Sequence, residues 1–325
     1  MTIRCLRSLV GTGLLLPLLA TAPGCGAGDP NAAALQTELA RRERVTAAYR
    51  AELAGSLAAA EAGDAEAMLA VAQTYFTGRG VDVDHAEAAR WYERAAEAGN
   101  AEAAYRLGLV FDYGVGATKD APRAAAWYGR AAEAGHLKAQ SQLASMLDLG
   151  RGVPHQAELA VRWYRAAAEQ GDLAAQSALA NKYALGDGVG TDPVEAVHWY
   201  AAAAKQGSAM DQYNLGFSYE QGSGVARDGF EAERWYRRAA EQGLVDAQFA
   251  LGSLYAEAQG LQHDPIEAYK WFFIAAQSGS PGALRSLQAL RPSLAVRDRN
   301  NAEDLARDWM ARHADAAGPP GPAAP

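Results

Sequence analysis

The sequence has two cysteines in 325 residues, Cys5 and Cys25. Two thiols cannot build a disulfide framework or a tetrahedral zinc site unaided. Basic residues are in deficit as well: 30 Lys and Arg stand against 38 Asp and Glu, a formal charge of −8. A diffusely acidic surface repels phosphate backbones, so nucleic acid is not an expected partner. The six histidines, His85, His136, His155, His198, His263 and His313, form no i,i+4 pair and no H-E-x-x-H motif. Neither a G-x-S-x-G elbow nor a distinctive carboxylate pair is present, so no catalytic residue, metal or cofactor is expected. What is present, 50% hydrophobic and 21% charged residues with 33 Gly and 13 Pro, excludes a fully disordered or fibrous chain.

Long apolar runs are limited to one, Leu9 to Ala20, preceded by Arg4 and Arg7. It is shorter than the roughly 20 residues a spanning helix needs and has the form of a secretory signal. Two processing sites are open. Ala20-Thr21-Ala22 is an A-x-A site for ordinary signal peptidase, and Ala22-Pro23-Gly24-Cys25 resembles a bacterial lipobox with Ala in place of its usual Leu. The second predicts a signal peptide over 1–24, lipidation of Cys25 and a flexible linker over 25–34. Gly26, not Asp, after the cysteine resembles the outer-membrane class of lipoprotein, which implies a protein facing the periplasm.

The dominant feature is a ruler. Trp91, Trp127, Trp163, Trp199, Trp235 and Trp271 are spaced by 36 residues each. Gly63 through Gly279 and Gly80 through Gly260 keep the same step, so the chain contains six units over 64–279. Each unit encodes two helices. In the second unit Ala103, Leu107, Gly108 and Phe111 share one helical face, Gly114-Val115-Gly116 breaks it, and Ala124, Trp127, Tyr128 and Ala131 form the next stripe. Asp64, Asn100, Asp172, Ser208 and Ser280 are expected N-caps of first helices. Asp84, Asp192, Asp228 and Asp264, each with a Glu three residues on, predict capping boxes for second helices. Residues 35–63 read as an N-terminal capping half-repeat, 280–313 as a partial repeat and capping helix with Trp309 turned inward, and 314–325 as a disordered tail.

The pattern A-x-x-x-L-G-x-x-Y-x-x-G-x-G-V-x-x-D-x-x-x-A-x-x-W-Y-x-x-A-A-x-x-G resembles the Sel1-like repeat, a relative of the tetratricopeptide repeat. Ala247 to Tyr255 matches its first helix and Asp192 to Tyr200 its second. The resemblance implies an all-α, right-handed αα-hairpin solenoid with helical caps, on the order of 60 Å long at 8–10 Å per packed helix. The tryptophan column then reads as packing between repeats, and the G-x-G segments as turns.

By analogy with tetratricopeptide arrays, function lies in the concave groove of first helices. The candidate partner-binding residues are Tyr105, Leu109, Asp112, Tyr113, Asp148, Asn181, Tyr213, Phe217, Glu220 and Phe249. Aromatics on an acidic floor suit a partner protein or peptide, with Tyr105, Tyr213, Phe217 and Phe249 expected to carry binding. The resemblance thus implies a non-catalytic interaction scaffold of the cell envelope. The alternative is a module bound to a cell-wall polymer, peptidoglycan or exopolysaccharide. Cysteine-rich relatives linked to penicillin hydrolysis or binding carry a disulfide in each repeat, which this chain lacks.

Overall fold

The computed structural model describes residues 30–257 and 263–313. The signal segment, Cys25, the start of the linker, Ala258–Gln262 with Gly260, and the tail over 314–325 lie outside the described residues. All described elements are helices. A long helix, α1 (Pro30–Glu61), begins inside the segment expected as linker. Six hairpins follow: α2 (Ala65–Thr77) with α3 (His85–Glu97), α4 (Ala101–Tyr113) with α5 (Ala121–Glu133), and α6 (Leu137–Leu149) with α7 (Ala157–Glu169). Then come α8 (Leu173–Leu185) with α9 (Pro193–Lys205), α10 (Ala209–Gln221) with α11 (Gly229–Glu241), and α12 (Val245–Glu257) with α13 (Pro265–Gln277). Each first helix packs on its own second helix, and each second helix on the next first helix.

The helix ends follow local chemistry. Asp64, Asn100, Asp172, Ser208 and Ser280 accept backbone N–H groups as N-caps, and His136 does the same through Nδ1 for Ala139. Gln156, where the other repeats carry Asp, makes no side-chain cap. The capping boxes form by half. Asp84 Oδ1 accepts from Glu87 N–H at 2.9 Å, but no bond returns from the Glu to the cap. The cap's own N–H is already taken: Asp84, Asp120, Asp192 and Asp228 donate to the carbonyls of Tyr75, Phe111, Tyr183 and Tyr219 at 2.8–3.0 Å, closing each hairpin. Both glycines of a turn are needed. Gly114 ends α4 at φ 76°, and Gly116, at φ 87°, sits where a Cβ would fall 2.1 Å from the His85 carbonyl of the preceding unit.

Glutamines, overlooked in the sequence pattern, hold the units together. Gln140, Gln176, Gln212 and Gln248 are buried and donate back to the carbonyls of Ala132, Ala168, Ala204 and Ala240 in the previous unit at 3.1–3.4 Å. Gln170, Gln206 and Gln242 donate to the Oε1 of the first three at 2.7–2.8 Å. In the second unit both places are apolar, Ala104 and Ala134. The sixth unit keeps Gln248 but has Ser278 where its partner would stand, and Gln248 Oε1 is buried without a hydrogen bond.

The ends are capped. Arg79 lies over the Tyr49 ring at 4.3 Å and Leu53 and Ala60 are buried, fixing the second half of α1 on α2. After α14 (Pro281–Leu290) and a 3₁₀ turn at Arg291–Ser293, α15 (Val296–His313) packs on α13 with Ala302 and Ala306 fully buried. Trp309 meets Trp271 edge-on at 5.4 Å, as an inward anchor should. A buried acceptor left unpaired costs about 1–3 kcal/mol, so Ser278→Gln is expected to stabilise the chain by about 1 kcal/mol in a denaturant melt, whereas the same exchange at exposed Ser293 should do nothing.

Candidate functional site

The face formed by the first helices is set by one recurring contact. In the second, fifth and sixth units the ring of the second helix, Tyr128, Tyr236 or Phe272, packs on a glycine of the first helix, where a Cβ on Gly108, Gly216 or Gly252 would come within 2.5–2.8 Å of it. A second ring from the same first helix packs on it at a tilt: Tyr105 on Tyr128 at 5.8 Å, Tyr213 on Tyr236 at 5.5 Å and Phe249 on Phe272 at 5.7 Å between centroids. In the third and fourth units the covering residue is Ser141 or Ser177, and the residue beneath is Ala144 or Ala180. The two positions vary together because one ring needs the space that the other exchange closes.

This arrangement sorts the sequence-predicted residues. Tyr105, at 8% exposure, belongs to the packing, and Tyr213 and Phe249 are half-buried members of the same ring pairs. Asp112 is buried: Tyr128 donates to its carboxylate, and Arg151 of the next unit donates to it at 3.4 Å. Glu220 accepts from Tyr236 at 2.6 Å, and Asn181 from Tyr200 at 2.7 Å. Asp148 binds Lys182, which also reaches Asp187 at 2.5 Å. The remaining candidates are open. Tyr113 is 68% and Phe217 48% exposed, and Leu109 is half-buried. Sequence reasoning missed Leu149 and Leu185, exposed at 72% and 79% at the place equivalent to Tyr113. The 36-residue step would have found them.

Electrostatics follows from these pairs. Burial, reinforced by the Asp112 charge, raises the Tyr128 pKa, and burial with the Glu220 bond does the same for Tyr236. Burial and the nearby Asp211 push Tyr200 up to about 12. Burial pulls the Lys182 ammonium down, but its bonds to Asp148 and Asp187 outweigh this and hold it above the ordinary lysine value. Among the described residues no three His, Cys, Asp or Glu side chains gather as a metal site. The tryptophans at Trp91, Trp127, Trp199, Trp235 and Trp271 are buried, with Arg94, Arg130 and Arg238 lying over three of them at 4.1–4.5 Å.

Stacked helical hairpins with a regular core and one chemically varied face define an αα-hairpin solenoid. The Sel1 repeat matches six times, over residues 65–100, 101–136, 137–172, 173–208, 209–244 and 245–280, and the chain belongs to that family, whose members are in general interaction scaffolds. A protective antigen of uropathogenic Escherichia coli strains with an SLR fold is 30% identical, with TM-score 0.60, over 85% of this chain and 61% of its own length. This chain therefore spans about three fifths of that antigen. A Sel1 repeat protein from Oxalobacter formigenes is 33% identical, with TM-score 0.57, over 66% of this chain and 88% of its own. No curated protein matches.

Gly216→Ala should destabilise the chain by about 1–3 kcal/mol through overpacking against Tyr236. Adding Tyr213→Ser, which copies the third and fourth units, should recover most of that loss in thermal melts. The raised tyrosines set an alkaline limit as well. A tyrosine whose folded pKa exceeds its unfolded value of 10.0 keeps its stabilising effect below pH 10 and loses it as the pH climbs to the folded value. Stability should fall between pH 10 and about 12, and Tyr200→Phe should flatten that slope.

Proposed function

We propose that the chain is a non-catalytic adaptor of the bacterial cell envelope, anchored through lipidated Cys25, that holds a partner protein or peptide against its first-helix face. The observation that carries this reading is the row of apolar side chains left open there: Tyr113, Leu149 and Leu185, at one place in three consecutive units, with Phe217 four residues earlier in the repeat in the unit that follows. Contiguous apolar exposure is characteristic of interaction sites. With neighbouring units on the order of 10 Å apart, the row runs about 20 Å, which is the length of an extended segment of about six residues.

The paired charges of Asp148, Lys182 and Asp187 interrupt the row with a fixed polar point. Such a point adds choice of partner and register more than affinity. No helix among the described residues is long and apolar enough to cross a membrane. The anchor is supported by the apolar run ending at Ala20 and by Cys25 placed directly before a linker. Tethering at one end confines the array to a surface and raises its effective concentration for partners held there.

The test is a pull-down from detergent-solubilised envelopes with wild type and a variant carrying Ala at Tyr113, Leu149, Leu185 and Phe217. The variant should keep its helicity and lose the captured protein, and Cys25→Ser should shift the chain off membranes without weakening capture in solution. Undiminished capture by the quadruple variant would refute the face. Retention on purified peptidoglycan without added protein would replace a protein partner with a polymer.

A further inference from the structure

Phe76, Asp112 and Asp148 hold the same place in the first three units, sixteen residues before Tyr92, Tyr128 and Tyr164. In the second unit Tyr128 donates to Asp112, and Arg151 from the next unit closes on the same carboxylate. In the third, Tyr164 lies against Asp148, which binds Lys182 from the next unit. The first unit departs from both. Phe76 offers no acceptor, and the places of the two cations are taken by Val110 and Val115. Where the following units are closed by an ion pair, a cavity of about 200 Å³ stays open here, floored by Leu109 and Val110 and flanked by Tyr113.

Two side chains that line this cavity keep donor groups with no acceptor. The Tyr92 hydroxyl, whose equivalents in Tyr128 and Tyr236 bind carboxylates, has no hydrogen-bond partner among the described residues. Arg106 gives its Nε to Glu102, while neither terminal nitrogen meets a protein acceptor. An apolar space bordered by a phenol and the free fork of a guanidinium is complementary to one kind of ligand. It suits a carboxylate attached close to a hydrophobic group.

We propose that this cavity anchors a segment of a partner protein in which an acidic side chain neighbours an aromatic or aliphatic one. The apolar side chain covers Leu109, Val110 and Tyr113, and the carboxylate takes the bonds of Tyr92 and Arg106, in the position that Asp112 and Asp148 fill in the next two units. The assignment rests on the adaptor reading above and specifies where on the face, and by what chemistry, the partner is gripped. Guanidinium groups bind carboxylates through two parallel bonds, which adds direction to the affinity that apolar burial supplies. The one carboxylate at the site, Glu102, is already paired with Arg106 Nε and with His136, and the remaining exposed acids more than about 8 Å away are screened at physiological salt.

A random heptapeptide display library selected on the full chain tests the idea. It should enrich Asp or Glu within two positions of Phe, Leu or Ile, and a synthetic peptide from that pool should bind in calorimetry. Phe76→Asp installs the acid of the second and third units, so it should fold like wild type and weaken the peptide at least tenfold. Arg106→Gln and Tyr92→Phe should each cost about tenfold. Peptides enriched without an acid, no enrichment, or binding that survives Phe76→Asp would overturn the proposal. If such surviving binding is instead lost in Leu185→Ala with Phe217→Ala, the adaptor reading stands while this anchor site falls.

Discussion

The second-helix ring lying on a small first-helix residue is the contact from which the rest of the structure follows. It brings the two helices of a hairpin close enough for the cap N–H to reach the carbonyl of Tyr75 or its equivalents. It demands glycine wherever a second aromatic covers the ring, as at Gly108, Gly216 and Gly252, and admits alanine where serine does. It also buries the ring while leaving the phenol oxygen in search of an acceptor. Asp112 and Glu220 answer that need, so the acidic character of the first-helix face is largely a by-product of core packing.

The architecture was open to sequence reasoning because it repeats. A 36-residue step fixes helix boundaries, turns and caps many times over, and each error of local propensity is outvoted by five other units. Single departures were readable too: Gln156 lacks a capping oxygen, and the structure leaves that cap unmade. The start of α1 at Pro30 was less legible, because no repeat marks it and alanine-rich segments next to a linker carry no stop signal.

The functional face was harder to read for a physical reason. A sequence gives the type of each aromatic side chain, yet type does not distinguish a ring that covers another ring from one that meets solvent. Tyr105 and Tyr113 lie eight residues apart on one helix, and only the second is open. The partner of each candidate is legible only as a pair: Tyr105, Tyr213 and Phe249 stand two residues before Leu107-Gly108, Leu215-Gly216 and Leu251-Gly252, whereas Ser141 and Ser177 stand before Leu143-Ala144 and Leu179-Ala180. Glutamine columns are not distinctive in a sequence, since the residue is common on surfaces, and only burial reveals that Gln140 and its equivalents join successive units.

The glutamine chain also bears on how such a molecule could have grown. Gln170, Gln206 and Gln242 each bond within their own unit, and their partners reach one unit back. A duplicated copy of the third, fourth or fifth unit would therefore arrive with both its bonds intact, whichever of those neighbours it landed beside. The first two units and the last have lost one or both members and offer no such junction. Lengthening by in-frame duplication is thus tolerated in the middle of the array and penalised at its ends, so that reach could change over evolutionary time while the terminal units, including the one bearing Phe76 and Tyr92, stay as they are.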